Sequence, residues 1–363
     1  MGEAMRYKTR KAFSFIELLI AMIIIGIVGG VAVTALWFAF NSFYQIDDYT
    51  AAESEIEFAV QRLFREFAMI GLGMPNNRQA KGSFAMSFRD PNSGNRPIMA
   101  LFGDGSDWGG PVTVSNANPT HVYNSTSLTP PPLTPSTTPP SPIPAGYPVG
   151  SFVGPELYYA WAVPTGIRAR IFNKNSSNEA RNNDTLTLVF YAANANQTLK
   201  DAGLKTVKND STTGRNMRTW VLFPTLRLPL RAEEWDGTAS LDVTVAPAAL
   251  STMNRKIMSL DEAHLMQAAR LYRDANTNRL MQVIFGENYE AAGAEPLAQN
   301  IVGLQFAYNP TERLLTMYIA ARGQEIDPGA GRGAVWPSWL PPLDARDTRY
   351  RIVVKTLTWR IRN

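Results

Sequence analysis

From residue 13 to residue 40 nearly all of the twenty-eight residues are apolar, with a single charge, Glu17. As a helix that stretch spans roughly 42 Å, enough to cross a hydrocarbon core of about 30 Å. A secretory signal has an apolar region of only about 7–15 residues with its cleavage site after it. This run is longer, and no small-residue cleavage pattern follows it. The flank before it is basic: Arg6, Lys8, Arg10 and Lys11 stand against Glu3 alone, so +3 of the chain's +4 lies in residues 1–12. Such a flank stays on the cytoplasmic side, which predicts that everything beyond the apolar run lies outside. The remaining 351 residues are close to neutral, so total charge gives no nucleic-acid footprint.

A carboxylate inside a spanning helix costs roughly 2.5–3.5 kcal/mol on insertion scales and needs a partner. Residues 13–40 hold no Lys, Arg or His. The partner of Glu17 must therefore come from outside the segment, and another molecule is the expectation. Gly26, Gly29 and Gly30 admit two readings: close approach of neighbouring helices, or a flexible point in this one.

After Asn41 the pattern changes. Ile46, Tyr49, Ala52, Ile56, Ala59, Leu63, Phe67 and Ile70 recur at spacings of three and four, the stripe of an amphipathic helix docking on a core. Asp47, Asp48, Glu53, Glu55, Arg62 and Arg65 are expected on its other surface. Gly71-Leu72-Gly73-Met74-Pro75 ends it. One helix over residues 14–70 would be roughly 85 Å long, half in lipid and half against a head.

Beyond Met74, strand signals dominate. Residues 185–191 are β-branched and apolar after the turn-forming Asn182-Asn183-Asp184. Residues 271–273 and 280–285 flank Asp274-Ala275-Asn276-Thr277-Asn278 and predict a hairpin. Residues 350–361 predict a long terminal strand with Leu357, Trp359 and Ile361 on one face. Residues 261–271 predict a short helix. Charged residues are only 18% while Gly and Pro are plentiful, which fits a loop-rich head. The expected fold class is α+β: a long N-terminal helix, hydrophobic and then amphipathic, packed on an antiparallel sheet with loop insertions. The expected division is a basic leader at 1–12, a membrane helix at 13–40, a docking helix at 41–71 and a β-rich head at 72–363. Within the head, a Pro-rich insertion at about 111–150 carries nine prolines between residues 129 and 148 and is expected to be an extended surface loop.

Chemical sites are sparse. With no cysteine, disulfides, thiol nucleophiles and cysteine metal sites are excluded. Asp274-x-Asn276-x-Asn278 starts like a calcium loop, but Arg279 replaces the needed Gly and Phe285 the needed Glu, so a hairpin turn is expected. His121 and His264 lack companions at metal spacing, and His264 is expected to be structural. Gly329-Ala330-Gly331-Arg332-Gly333 lacks the Lys-Ser/Thr of a phosphate loop and reads as a surface turn. Asn124-Ser125-Thr126 is a glycosylation-type triplet of the kind that occurs by chance. No Gly-x-Ser-x-Gly motif occurs. No catalytic, cofactor or metal site is expected, and the chain reads as a non-enzyme.

Lys11-Ala12-Phe13-Ser14-Phe15-Ile16-Glu17-Leu18-Leu19 resembles the class III signal of prepilins, in which a short basic leader precedes a cut before Phe. Ala12 stands where that family usually has Gly, and Ser14 and Phe15 where it usually has Thr and Leu. The resemblance implies cleavage between Ala12 and Phe13 by a prepilin peptidase and methylation of the new Phe13 amine. It also implies pairing of Glu17 with the Phe13 ammonium of a neighbouring subunit. A second resemblance, to PilW-type minor pilins, rests on Gln61-Arg62-Leu63-Phe64-Arg65-Glu66-Phe67-Ala68-Met69-Ile70-Gly71-Leu72-Gly73-Met74-Pro75, on residues 183–191 and on residues 297–308. It implies a low-copy subunit that primes a type IV pilus at or near its tip. The implied partners are other minor pilins, the major pilin, the prepilin peptidase, an inner-membrane platform and a tip adhesin. The implied path runs from the inner membrane, single-pass with a cytoplasmic N-terminus, to a cell-surface fibre used in motility.

A minor pseudopilin of a type II secretion system shares the same N-terminal physics and stays open. A membrane-tethered hydrolase or binding protein would need converging carboxylates or histidines, which the sequence does not display. A DNA-uptake pilin would draw on Arg215, Arg218, Arg227 and Arg231, which solvated strand faces explain more simply.

Overall fold

The computed structural model describes residues 14–73, 86–89, 97–101, 112–115, 150–172, 179–180, 186–191, 194–201, 220–224, 230–234, 242–247, 255–256, 261–284, 294–326, 336–337, 340 and 342–362. One helix, α1 (Phe15–Ala68), runs for 54 residues, about 81 Å, with no Pro inside it. It ends at Met69, where the chain turns through Gly71 (φ 78°) and Gly73 (φ 73°). Both glycines occupy the left-handed region; at Gly73 a side chain would also press on Leu222 and the Phe223 backbone.

The described strands are, in chain order, β1 (Met86–Arg89), β2 (Pro97–Leu101), β3 (Val112–Ser115), β4 (Phe152–Gly154), β5 (Glu156–Phe172), β6 (Glu179–Ala180), β7 (Leu186–Tyr191), β8 (Trp220–Leu222) and β9 (Leu230–Glu234). They continue as β10 (Asp242–Pro247), β11 (Arg255–Lys256), β12 (Asp261–Asp274), β13 (Arg279–Ile284), β14 (Glu295–Ala298), β15 (Ile301–Asn309), β16 (Leu314–Ile326) and β17 (Tyr350–Arg360). A short helix, α2 (Ala195–Asp201), follows β7. The architecture is α+β, as expected, with antiparallel pairing throughout.

Two sheets meet α1. The smaller has the order β17-β16-β15-β4, and the larger β14-β13-β12-β8-β9-β10-β7-β5-β3. Because β12 also pairs with β5, the sequence β5-β12-β8-β9-β10-β7 returns to β5 and closes a circuit of six strands. Closure leaves those six without a free edge around the ring. The stripe of α1 faces a core drawn from both sheets: Ala52, Ile56, Ala59, Leu63, Phe67 and Ile70 pack with Leu157, Tyr159 and Trp161 of β5 and with Phe306, Met317 and Val353 of the smaller sheet. Ile46 and Tyr49, expected in this stripe, are 66% and 47% exposed. On the far face of the smaller sheet, Trp336 and Leu340 cover Gly303, where a side chain would strike both.

Residues 261–271 form most of β12 and are not a helix. Their Ala, Glu, Leu and Met favour a helix in isolation, but β5 pairs with β12 from Asp261 to Leu271, and β8 and β13 take its other edge. His264 is therefore a buried strand residue whose Nδ1 lies 3.2 Å from the Glu262 carbonyl. The hairpin predicted after Arg273 is present. Asp274 accepts the Asn276 N–H and the Thr277 hydroxyl, and Asn278 takes φ 51°. β7 and the terminal strand β17 also stand where their patterns placed them, with Leu357, Trp359 and Ile361 facing α1.

Phe67 joins helix to sheets most directly: it meets Tyr159 edge-on at 5.1 Å and Trp359 edge-on at 4.8 Å, fully buried. Phe67→Ala is expected to lower the unfolding free energy by about 3–5 kcal/mol, read by urea denaturation in detergent. A loss under about 1 kcal/mol would mean that the two sheets hold the head without this ring.

Candidate functional site

The features that carry chemistry lie along α1, from its N-terminus to its docked end. Ser14 precedes the helix in an extended conformation, and its N–H donates to Glu17 Oε2 at 2.9 Å. The carboxylate thus folds back to the helix N-terminus, where the first-turn N–H groups favour negative charge. It ends one residue from Phe13, which lies with Ala12 outside the described residues. Among the described residues no cation pairs with Glu17. The arrangement can receive one cationic donor arriving at the helix start.

From Phe15 to Phe40 the helix touches nothing else among the described residues, and its large apolar side chains are exposed throughout. It is long and apolar enough to cross a membrane. A side chain added at Gly26, Gly29 or Gly30 would meet no atom within 4 Å among the described residues, whose packing does not require glycine there.

The docked half differs from the sequence reading. Of the charges expected to face solvent, Asp47 and Arg65 are exposed, whereas Asp48, Glu53, Glu55 and Arg62 flank the buried stripe and hold the head. Asp48 Oδ1 accepts the N–H groups of Gln324 (2.5 Å) and Glu325 (3.1 Å) at the end of β16. Its carboxylate occupies the space that a side chain on Gly323 would need. Glu53 and Glu57 both pair with Lys355 of β17, at 2.6 and 3.1 Å. Glu55 accepts the Gln299 N–H, and Arg62 pairs with Glu295. Deepest is Glu66, whose Oε2 accepts the Tyr159 hydroxyl (2.6 Å) and the Gln282 amide (2.7 Å). A usable sequence signal exists. Residues 41–61 contain five acids and no Lys or Arg, so balancing donors had to come from elsewhere in the chain. The exposed pairs contribute little each, whereas the backbone donors bound by Asp48 and the partly buried Glu66 fix the helix's register.

Other expected sites are not brought together. Arg231 lies in β9. The start of the insertion expected as a surface loop at 111–150 is instead β3, which pairs with β5 and buries Val112 and Val114. Residues 116–149, with His121 and Asn124, lie outside the described residues, as do Arg215, Arg218, Arg227 and the run from Gly329 to Gly333. Among the described residues there is no cluster of three or more His, Asp or Glu placed to hold a metal. Two ionic clusters are structural ties the sequence did not reveal. Arg270 donates from Nε and Nη2 to the two carboxylate oxygens of Glu156 (3.0 and 2.6 Å) against the Tyr272 ring, pinning β12 to β5. The fully buried Asp347 accepts from Arg322 and Asn278, tying the β12–β13 turn to the approach to β17.

Residues 7–33 match the family described as the prokaryotic N-terminal methylation motif. The match brackets the bond between Ala12 and Phe13 together with Glu17. It covers the N-terminal segment alone and supports a protein of the type IV pilin and pseudopilin class. No curated protein and no solved structure matches the chain.

Burial raises the pKa of Glu66 above the 4.5 of a free glutamate, against the lowering effect of Tyr159, Gln282 and Arg62. Well below pH 4.5 the carboxyl is protonated in both folded and unfolded chains. As pH rises the unfolded chain ionises first, so stability falls until the folded pKa is passed and then levels. Glu66→Gln removes this slope while its amide oxygen can still accept. The variant is expected to gain on the parent from pH 4.5 upward in urea titrations between pH 4 and 8; parallel curves would refute the assignment. Gly323→Ala is expected to displace Asp48 and lower the melting temperature in detergent. An unchanged melting temperature would mean that this end of the seam bears no load.

Proposed function

We propose that the chain is an assembly subunit of a type IV pilus, a minor pilin that primes the fibre and stands at or near its tip. One observation carries the reading: the N-terminal half of α1 has no partner among the described residues and carries a lone carboxylate inside a methylation motif. A helix so exposed needs lipid before assembly and other helices after it. In this reading the prepilin peptidase hydrolyses the bond between Ala12 and Phe13 and methylates the Phe13 amine, which remains cationic. Glu17 is then the fifth residue, and its carboxylate receives the Phe13 ammonium of a neighbour. Each charge is costly alone in a low-dielectric surround and tolerable when paired, so the pair sets the register between helices. Gly26, Gly29 and Gly30, not required by the packing of the described residues, let a second helix come close.

The PilW-like stretches support the minor-pilin assignment. They fall on the end of α1 and its turn, on β7, and on the end of β14 with most of β15. A head of about 290 residues suits a low-copy, initiating position better than the bulk of a fibre. Partners follow from that place: other minor pilins, the major pilin, the inner-membrane platform and a tip adhesin.

The processed chain is expected to begin at N-methylated Phe13 both in membranes and in sheared surface fibres, as intact mass will show. A start at Met1, with none of the chain in fibres, would leave only a membrane anchor. Glu17→Ala is expected to insert normally yet cut fibre number by about tenfold, the loss of roughly 1.4 kcal/mol of pairing; unchanged piliation would remove the carboxylate's role. Loss of protein secretion with fibres intact on deletion would transfer the same mechanism to a secretion pseudopilus.

A further inference from the structure

Of the free edges on the two large sheets, three are guarded. β3 and β4 are only four and three residues long, and β14 carries Pro296 and a register shift opposite β13. β17 is different: eleven residues, no Pro, and unbroken register with β16 from Ile352 to Arg360. Its orientation follows from two hydrogen bonds. The Ile361 N–H donates to the Arg313 carbonyl beside β16, whereas the Arg362 N–H donates the other way, to the Ile70 carbonyl. In an antiparallel strand successive residues alternate sides. Odd residues from 353 to 361 therefore face β16, and Ile352, Val354, Thr356, Thr358 and Arg360 turn their N–H and C=O groups outward. No strand among the described residues takes them.

An unguarded edge of this length is a template for another strand. The usual lysine guard is disarmed here, since Glu53 and Glu57 neutralise Lys355. What remains is basic. Residues 348–362 contain no acid, and Arg349, Arg360 and Arg362 are exposed. Two copies of this edge laid together would oppose arginines to arginines, which disfavours self-pairing.

We propose that β17 is a strand-addition site for an extended acidic segment of a partner protein, which docks on the outward groups of residues 352–360. The inference goes beyond the assembly reading, concerns the head alone, and holds whether or not Phe13 becomes the N-terminus.

The test uses the full chain in detergent micelles and three synthetic ten-residue peptides. One alternates valine or threonine with glutamate. A second carries lysine in place of glutamate, and a third is the glutamate peptide N-methylated at alternate backbone nitrogens. Amide hydrogen exchange is read residue by residue. In the free chain the amides of Ile352, Val354, Thr356, Thr358 and Arg360 are expected to exchange fast and those of Val353, Lys355, Leu357 and Trp359 slowly. The glutamate peptide should slow the even set by about tenfold and leave the odd set unchanged. It should bind at least about fivefold tighter than the lysine peptide, and the N-methylated peptide should not bind. Thr356→Pro, which removes one outward donor, should keep the melting temperature and lose the peptide. Even amides that are already protected in the free chain would overturn the proposal without any variant. So would binding that leaves them fast, or equal binding of all three peptides.

Discussion

Five buried side chains of α1, Ala52, Ile56, Ala59, Leu63 and Phe67, together with Ile70 just past its end, face two sheets at once, and this seam decides how the rest of the chain is placed. Neither sheet alone covers the stripe. The larger supplies Leu157, Tyr159 and Trp161 and the smaller Phe306, Met317 and Val353, so the helix is the element on which the two halves of the head converge. Burying such a stripe stabilises a helix that would be marginal alone, and the docked half in turn fixes where the unpartnered half emerges. The same 54 residues thus meet two different surroundings, and the change falls between Ile46 and Ala52, where exposure gives way to burial.

Charge works differently at the two ends of this helix. Glu17 stands in an apolar run with no cationic partner among the described residues. Asp48, Glu55 and Glu66 are satisfied by the head's own N–H, hydroxyl and amide donors. The head thereby neutralises or hydrogen-bonds nearly every acid of the docked helix. What it leaves outside is mainly Phe58 and Phe64 with the polar residues between them.

Local patterns were readable where one environment dictates them. The apolar run with Glu17, the three-four spacing of the stripe, the turn residues after Arg273 and the alternation of β17 each state their structure within a dozen residues. Failures came where distant partners decide. Residues 261–271 carry helix-forming side chains, yet strand pairing with β5 overrides that preference. The acids of α1 looked solvated because their partners lie 200 to 300 positions away, at Gln299, Gln324 and Lys355. The closed circuit through β5 and β12 has no local signature, since long strands that bend to serve two neighbours read like any other strand.

The contacts between α1 and β17 advance in the same direction along both elements: Glu53 and Glu57 meet Lys355, Phe67 meets Trp359, and Ile70 meets Arg362. A pull along the helix axis therefore slides the whole seam instead of peeling it from one end. Contacts spread over about 21 Å of helix, from Glu53 to Phe67, share the load at the same moment, so they must fail together. Tension entering through the apolar half of α1 reaches the head as shear, the direction in which a long row of modest contacts resists most.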